Sequence, residues 1–430
     1  MYEFRQLSDD LLLDRIQQAA FGYFLDHCNR DNGLIADTAR IGSPCSIAVV
    51  GFALACYPVA VERTWLTRAD AAARTLAVLR FFWSSTQSQS PDATGYKGFY
   101  YHFLDMQTGR RVWESELSPI DTTFLLAGML AASTYFGNST QHESEIRELA
   151  NALYRRIDWP WMQNSDGAVW QGWKPKSGFL HYGWQGYSEA MLLYVLGMAS
   201  PTFPLFGNSY EKWTATYQWE NLYSQDFLYA GPFFIHQFSH AWLDLKGLQD
   251  RFMREKDCDY FENSRRATFV QQQYALRNPL QFEGYGENCW GLSAGEGPGE
   301  KTVKVRGRTR RFFGYVTRGV PYGADDGTIA PSAMLAALPF APELVLPAIR
   351  YLCARYPQIV SGYQLPNGFN PTLSESGSQF WVSSNRFGLD QGIIVLMIEN
   401  YRTQLIWNLM RNCPHIGTGL RCNGFSGGWL

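Results

Sequence analysis

The chain has 430 residues, a formal charge of −2 at pH 7 and a pI near 6.4, with 46% apolar, 16% aromatic and only 18% charged residues. It has no basic surplus to drive binding to a phosphate backbone, so no nucleic-acid partner is expected. It is also too apolar for a disordered chain.

The N-terminal MYEFRQLSDD lacks the basic start, apolar run and small-residue cleavage site of a secretory leader. The chain therefore reads as cytoplasmic as it stands, or periplasmic if it is a mature form. From Asp9 to Cys28, Leu12, Ile16, Ala19, Ala20, Tyr23 and Phe24 fall on one stripe, which predicts an amphipathic helix. The longest uncharged stretch, between Arg40 and Glu62, is long enough to span a bilayer. Ser43-Pro44 at its start, Pro58 inside it and the absence of an aromatic belt or basic flanks favour a buried core helix over 44–61, and no membrane partner is expected. Further helical patterns cover 67–84, 118–136, 142–157, 187–199, 208–220, 232–245, 249–277, 330–338, 342–356 and 389–411.

The segments near 44–61, 118–136, 187–199 and 389–400 are apolar nearly all round, whereas those near 67–84, 142–157, 249–277 and 400–411 carry Arg, Glu and Gln on one face. A helix apolar on every side must be enclosed by others. Alternating enclosed and half-exposed helices predict an all-α (α/α)6 toroid of two concentric rings. The polar stretches at 84–95 and 137–144 are loop-sized, so a single domain over 1–430 is expected. Between Gly284 and Gly327 the helical pattern lapses, and the alternating TVKVRGRTRRFFGYVTRG predicts an inserted hairpin or long loop. The 8 cysteines form no framework and read as reduced thiols; Cys413 and Cys422 flank what reads as a Gly-containing loop.

Several motifs lose their chemical reading on inspection. Gly424-Phe-Ser426-Gly-Gly428 matches G-x-S-x-G, but no helix pattern and no His follow it. GEGPGEKT at 295–302 has Glu300 where a phosphate loop needs Gly before Lys. His236 and His240 have the i, i+4 spacing of a metal pair, but Gln237 stands where a zinc hydrolase needs its glutamate, so no metal is assigned. Hydrogen-bonding pocket residues and satisfied core histidines remain as readings, and His236, Gln237 and His240 are candidate substrate contacts. The basic run from Lys301 to Arg311 reads as a solvated face or as a contact for an anionic substituent.

Aromatic residues crowd into polar, Gly-rich loops, among them Trp113, Trp184, Tyr187 and Trp290. Flat rings beside polar groups suit the apolar faces of sugars, so these four are candidate walls of a sugar groove. Glycosidic cleavage needs two carboxyl groups, one protonated and one ionised. Acids stand at helix starts: Asp121 after Ser118-Pro119, Glu189 after Tyr187-Ser188, Asp390 after Gly388-Leu389, and Asp325 and Asp326 before PSAMLAAL. Each alone is explained by capping. Together, at starts that open on one rim, they predict a shared pocket. A helix N-terminus favours the charged form, so the general acid needs desolvation; Glu189, near Trp184 and Tyr187, is the choice, and Asp121 and Asp390 compete for base or nucleophile.

These residues lie in segments that resemble a known family. WESELSPIDTTFLLAGML (113–130), GWQGYSEAMLLYVLG (183–197), FIHQFSHAWLDLKGLQD (234–250), NCWGLSAGEGPG (288–299), DDGTIAPSAMLAALPFAPE (325–343) and FGLDQGIIVLMIENYRT (387–403) resemble the bacterial glucoamylase-like proteins, grouped as β-1,2-glucanases of glycoside hydrolase family 144 and relatives. The resemblance runs in order from about residue 10 to residue 410. It implies an (α/α)6 toroid that hydrolyses β-1,2-glucan or sophorooligosaccharides, usually by an endo-acting inverting route, without metal or cofactor. Asp121, Glu189 and Asp390 lie in the matching motifs. Family members often have Asp where Glu296 stands here, and the basic stretch after it looks like this chain's own addition, so Glu296, Asp325 and Asp326 are candidate substrate contacts bordering the pocket. Many relatives carry a signal peptide. Exo-acting sophorose release, transglycosylation and non-catalytic carbohydrate binding remain as alternatives, and a monomer is expected.

Overall fold

The structure is a computed structural model that describes residues 7–374 and 380–430; the first six residues, on which the leader reading partly rests, lie outside them. Helix α1 (Asp9–Asp26) starts at Ser8, whose hydroxyl accepts from the Leu11 amide, and buries Leu12, Ile16, Ala20, Tyr23 and Phe24. Helix α2 (Ile47–Glu62) is buried from Ile47 through Ala60 with Pro58 inside it. No helix among the described residues is long and apolar enough to cross a membrane. Helices α3 (Arg68–Ser84), α4 (Pro119–Tyr135) and α5 (Gln141–Arg155) each begin at a Thr or Ser whose side chain accepts an amide of the first turn.

The later helices are α6 (Met191–Met198), α7 (Ser209–Thr214), α8 (Arg251–Glu255), α9 (Tyr260–Arg277), α10 (Pro331–Ala336), α11 (Pro342–Arg355), α12 (Gly388–Arg402), α13 (Leu405–Arg411) and α14 (Pro414–Cys422). Helices α2, α4, α6 and α12 have almost every residue buried, as their all-round apolar sequences require. They form a contiguous inner row in which α10 packs on α12, α12 on α2, α2 on α4 and α4 on α6. Amphipathic helices cover that row from outside: α1 lies on α12, α3 on α2, α5 on α4 and α14 on α6. The α2–α4 crossing is set by glycine. A Cβ on Gly51 would collide with the Phe124 carbonyl, and one on Gly128 with the carbonyl of Gly51, so the two backbones touch.

Several predicted helices take another form. The 232–245 segment is two 3-10 turns, Phe233–His236 and Ser239–Ala241. Its carbonyls are claimed by other elements: the Ser264 hydroxyl donates to His236 O, Trp407 Nε1 to His240 O and Asn400 Nδ2 to Ala241 O. The 249–277 pattern breaks between α8 and α9, where Asp257 has φ 48° and Asp259 caps the new helix. The 389–411 pattern breaks at Gln404, φ 59°. The 187–199 helix begins only at Met191, and 208–220 ends as helix at Thr214, giving way to a hairpin of Trp219–Leu222 with Gln225–Leu228.

The loop expected between Cys413 and Cys422 is helix α14. At 1.5 Å per residue that helix holds the two thiols about 13 Å apart, beyond disulfide reach. The expected insertion is a hairpin of Lys301–Val305 with Arg308–Phe312. Arg306 and Gly307 both have positive φ, at 48° and 82°, the turn that matches strand twist. At its base, Ala294–Gly295 pairs with Val316–Thr317. Because a strand and not a helix follows 295–300, no phosphate-binding helix terminus exists there. Ser426 and Gly427 pair with Gln249 and Leu248, a purely structural use of the G-x-S-x-G motif.

Candidate active site

A cavity of about 600 Å³ opens at the N-terminal ends of α4, α6 and α12 and is lined by five carboxyl groups, Asp37, Glu116, Asp121, Glu189 and Asp390, together with His102 and Tyr315. Asp121 lies in the first turn of α4. Its amide donates to Ser118 Oγ at 3.2 Å, and the Ser118 hydroxyl donates back to Asp121 Oδ2 at 2.5 Å, so the cap also aims the carboxylate. Asp390 lies in the first turn of α12; the Ser332 hydroxyl of α10 donates to its Oδ1 at 2.7 Å and Asn367 Nδ2 to its Oδ2 at 2.6 Å. Glu189 sits two residues before α6, where its carbonyl accepts the Ser239 hydroxyl at 3.0 Å.

The environments separate these acids. Burial pushes the Glu189 carboxyl up to about 7, its own backbone amide pulls against this, and the Asp121 charge adds to the rise. Burial likewise raises Asp390 to about 6, although Asn367 and Ser332 hold its charged form. Asp121 is raised by burial, with His102 and the Ser118 hydroxyl opposing. A neutral carboxyl and a charge-supported carboxylate on one cavity can protonate a leaving oxygen and activate water, the two tasks of glycoside cleavage.

Asp37, His102 and Glu116 escaped the sequence reading because irregular chain positions them. The Gly388 amide at the start of α12 donates to the Asp37 carbonyl at 2.8 Å. The His102 amide donates to the Glu116 carbonyl at 3.0 Å, beside a bridge of Tyr101 to Leu117. Glu116 stood five residues before Asp121 in WESELSPID, and this adjacency was the one available signal. Among the described residues, His102, Glu116 and Asp121 are the one group whose potential ligand atoms gather within 4.8 Å. His102 Nδ1 lies 2.9 Å from Glu116 Oε1, a direct hydrogen-bond distance.

The other candidates divide. Trp184 and Gln237 line the cavity, and Gln237 donates to the Ala333 carbonyl at 2.7 Å. Trp113 is exposed and borders a second recess of about 620 Å³ with Arg40; its ring lies 5.1 Å from Phe103, which lines the first cavity. Tyr187 lines a smaller recess and packs edge-on to His236 at 5.1 Å.

His236 and His240 are core residues: burial lowers them to about 4 and about 3, and they meet Ala230 O at 3.2 Å and Ser264 Oγ at 3.1 Å. They stand on 3-10 turns, so the expected helix face does not exist. Trp290 is 0% exposed and packs on Phe233, so it is no groove wall; its apolar bulk serves the core. Asp325 accepts the Tyr274 and Tyr285 hydroxyls, and Asp326 makes a buried bidentate pair with Arg318 at 2.7 and 2.9 Å; neither lines the cavity. Glu296 pairs with Arg40, accepts the Ser383 hydroxyl and donates its amide to Asn367 Oδ1, one step behind Asp390. The basic hairpin stays off the cavity, with Arg306 paired to Glu283 and Arg311 to Glu300.

The family model described as "Putative glucoamylase" matches residues 181–414, more than half of the chain. The structure superposes on a putative glucoamylase from Bacteroides uniformis with a TM-score of 0.88 and 30% identity, over 99% of each chain. An endo-β-1,2-glucanase from Chitinophaga pinensis, solved with sophorotriose and glucose, shares the fold with a TM-score of 0.86 at 24% identity, over 99% of this chain and 100% of that one. A curated relative from Parabacteroides distasonis, an exo β-1,2-glucooligosaccharide sophorohydrolase acting at the non-reducing end, is 26% identical over 96% of this chain. The chain spans only 58% of that relative's length. With acids at the starts of α4, α6 and α12 facing one cavity, the family model matching more than half of the chain and the Bacteroides uniformis structure matching 99% of it, the chain belongs to the glucoamylase-like family.

Proposed function

We propose that this protein is a glycoside hydrolase that cleaves β-1,2-glucan, with Glu189 as general acid and Asp121 as the base that activates water. The observation that carries the reading is the Glu189 carboxyl, pushed up to about 7 by burial on a cavity that also holds the charge-supported Asp121. Asp390, held by two neutral donors on the same cavity, is the second candidate for the base. The substrate assignment is supported by two relatives of defined specificity, both acting on β-1,2-linked glucose chains. The inner row of α10, α12, α2, α4 and α6 under its outer helices supports a single (α/α)6 toroid.

Endo-acting, inverting cleavage is the primary reading. Exo-acting sophorose release is the second, favoured by the sophorohydrolase relative. Chromatography of products from linear β-1,2-glucan tests both. Mixed oligosaccharides in the first minutes support endo action, and sophorose alone supports exo action. Binding without any new reducing ends would overturn the hydrolase reading.

A further inference from the structure

His102 belongs to no helix, yet among the described residues it is the one basic side chain on the cavity wall. Its Nδ1 faces two carboxylates at once, Glu116 Oε1 at 2.9 Å and Asp121 Oδ2 at 3.6 Å. One face of its ring lies against Phe103, with centroids 3.9 Å apart and planes at 14°. The backbone pins both ends of the contact, because the His102 amide donates to the Glu116 carbonyl. An N–H held between two oxygens attracts both, and Asp121, already aimed by Ser118, receives that charge on its Oδ2.

We propose that His102, carried as an imidazolium by Glu116, is a positioning residue that keeps Asp121 ionised and oriented for its role in the cavity. The role given to Asp121 rests on the hydrolase reading above, while the charge state of His102 does not.

The groups facing His102 are Asp121 from the first turn of α4, Glu116 from the irregular segment before it and Asp37 from the loop before α2. Behind them, Asp390 acts on Asp37, Glu189 is coupled to Asp121, and Lys174 acts on Glu116. Burial alone would strip the proton from the imidazole; the three facing carboxylates outweigh it and raise His102 to about 9. Reciprocally, His102 holds Glu116 below its ordinary range and restrains the rise of Asp121. Glu116 takes the direct hydrogen bond, which leaves Asp121 Oδ2 within the field of the charge without a second N–H committed to it. That arrangement stabilises an anion while leaving it free to accept a proton, as a base must.

Two measurements on the full chain test the proposal. In the first, the wild-type protein is labelled at its histidine rings and titrated by NMR without substrate. The His102 signal is identified by its loss in His102→Gln or, should that variant not fold, in His102→Asn. The expected result is an imidazolium that persists above pH 8; a neutral imidazole at pH 7 overturns the proposal whatever the substrate proves to be. In the second, the pH profile of kcat/KM on β-1,2-glucan is compared for wild type, His102→Gln and His102→Lys. Loss of the positive charge should move the acidic limb up by about one unit or more, since a nearby cation lowers a carboxyl by about that amount. His102→Lys should restore part of the shift. A uniform fall at all pH values, with the limb unmoved, marks a merely structural residue and overturns the proposal. A persistent imidazolium in a protein that does not cleave the glucan would instead sink the substrate assignment and leave the electrostatic claim standing.

Discussion

Replacing Glu189 by Gln removes one ionisable proton while keeping the size and shape of the side chain. With its carboxyl at about 7, wild-type Glu189 is protonated in about nine molecules of ten at pH 6, whereas a carboxyl at the ordinary 4.5 would be protonated in about three of a hundred. The burial of this side chain therefore enlarges the competent acid population by about thirtyfold at that pH. The variant E189Q should lose about 10²–10⁴-fold in kcat on β-1,2-glucan, with KM little changed. Reducing-end release over time measures this. An aryl sophoroside whose phenolate leaves without a proton should lose far less, because the acid has no task there. Equal losses on both substrates would refute the assignment of Glu189 as acid.

The same substitution has a stability signature. The folded-state carboxyl lies above its ordinary value, so the folded protein still holds a proton that the unfolded chain has released. Wild type should lose more stability than E189Q as pH rises from about 4.5 to about 7, because the raised Asp390 and His102 remain in both proteins. Thermal melts at pH 5 and pH 8 on both proteins give the comparison, and parallel pH dependence would contradict the desolvated state of Glu189.

Asp121→Asn and Asp390→Asn should both lower kcat, but only replacement of the base should be partly rescued by azide or formate; rescue of Asp390→Asn alone would move the base to α12. Trp184→Ala should raise KM about tenfold with a small change in melting, because its ring is on the cavity wall. Trp290→Ala should instead cost about 3–5 kcal/mol in denaturant unfolding, as a fully buried ring demands. Arg318→Ala strands Asp326 without its partner at 0% exposure and should cost about 3–5 kcal/mol by the same measurement.

The parts of the fold legible in sequence were those set by local periodicity. The enclosed helices α2, α4 and α12 announce themselves because burial on every side leaves no polar position to interrupt the pattern. The 232–245 segment has equally apolar residues, but its carbonyls are used by Ser264, Asn400 and Trp407, which are distant in the chain. No local pattern records that competition. The site divides the same way. Asp121 and Asp390 were visible as residues in the first turns of strong helices, and Glu189 as an acid ahead of one. Asp37 and His102 were invisible, because each is delivered by a backbone hydrogen bond between irregular segments. The difference at Trp290 has a related cause: a tryptophan in a Gly-rich loop has the sequence signature of a groove wall, but here its side chain is fully buried in the core.

The glycine contact between α2 and α4 has a consequence for motion. Where Gly51 meets Phe124 and Gly128 meets Gly51, no side chain lies between the helices to change rotamer, so the floor beneath Asp121 has no soft mode of its own. Amides along α2 and α4 should exchange with solvent hydrogen only through opening of the whole molecule, while the 294–317 loop and hairpin should exchange orders of magnitude sooner. Adaptation to ligands of different size must then come from the rim, with the acids holding still while the walls adjust around them.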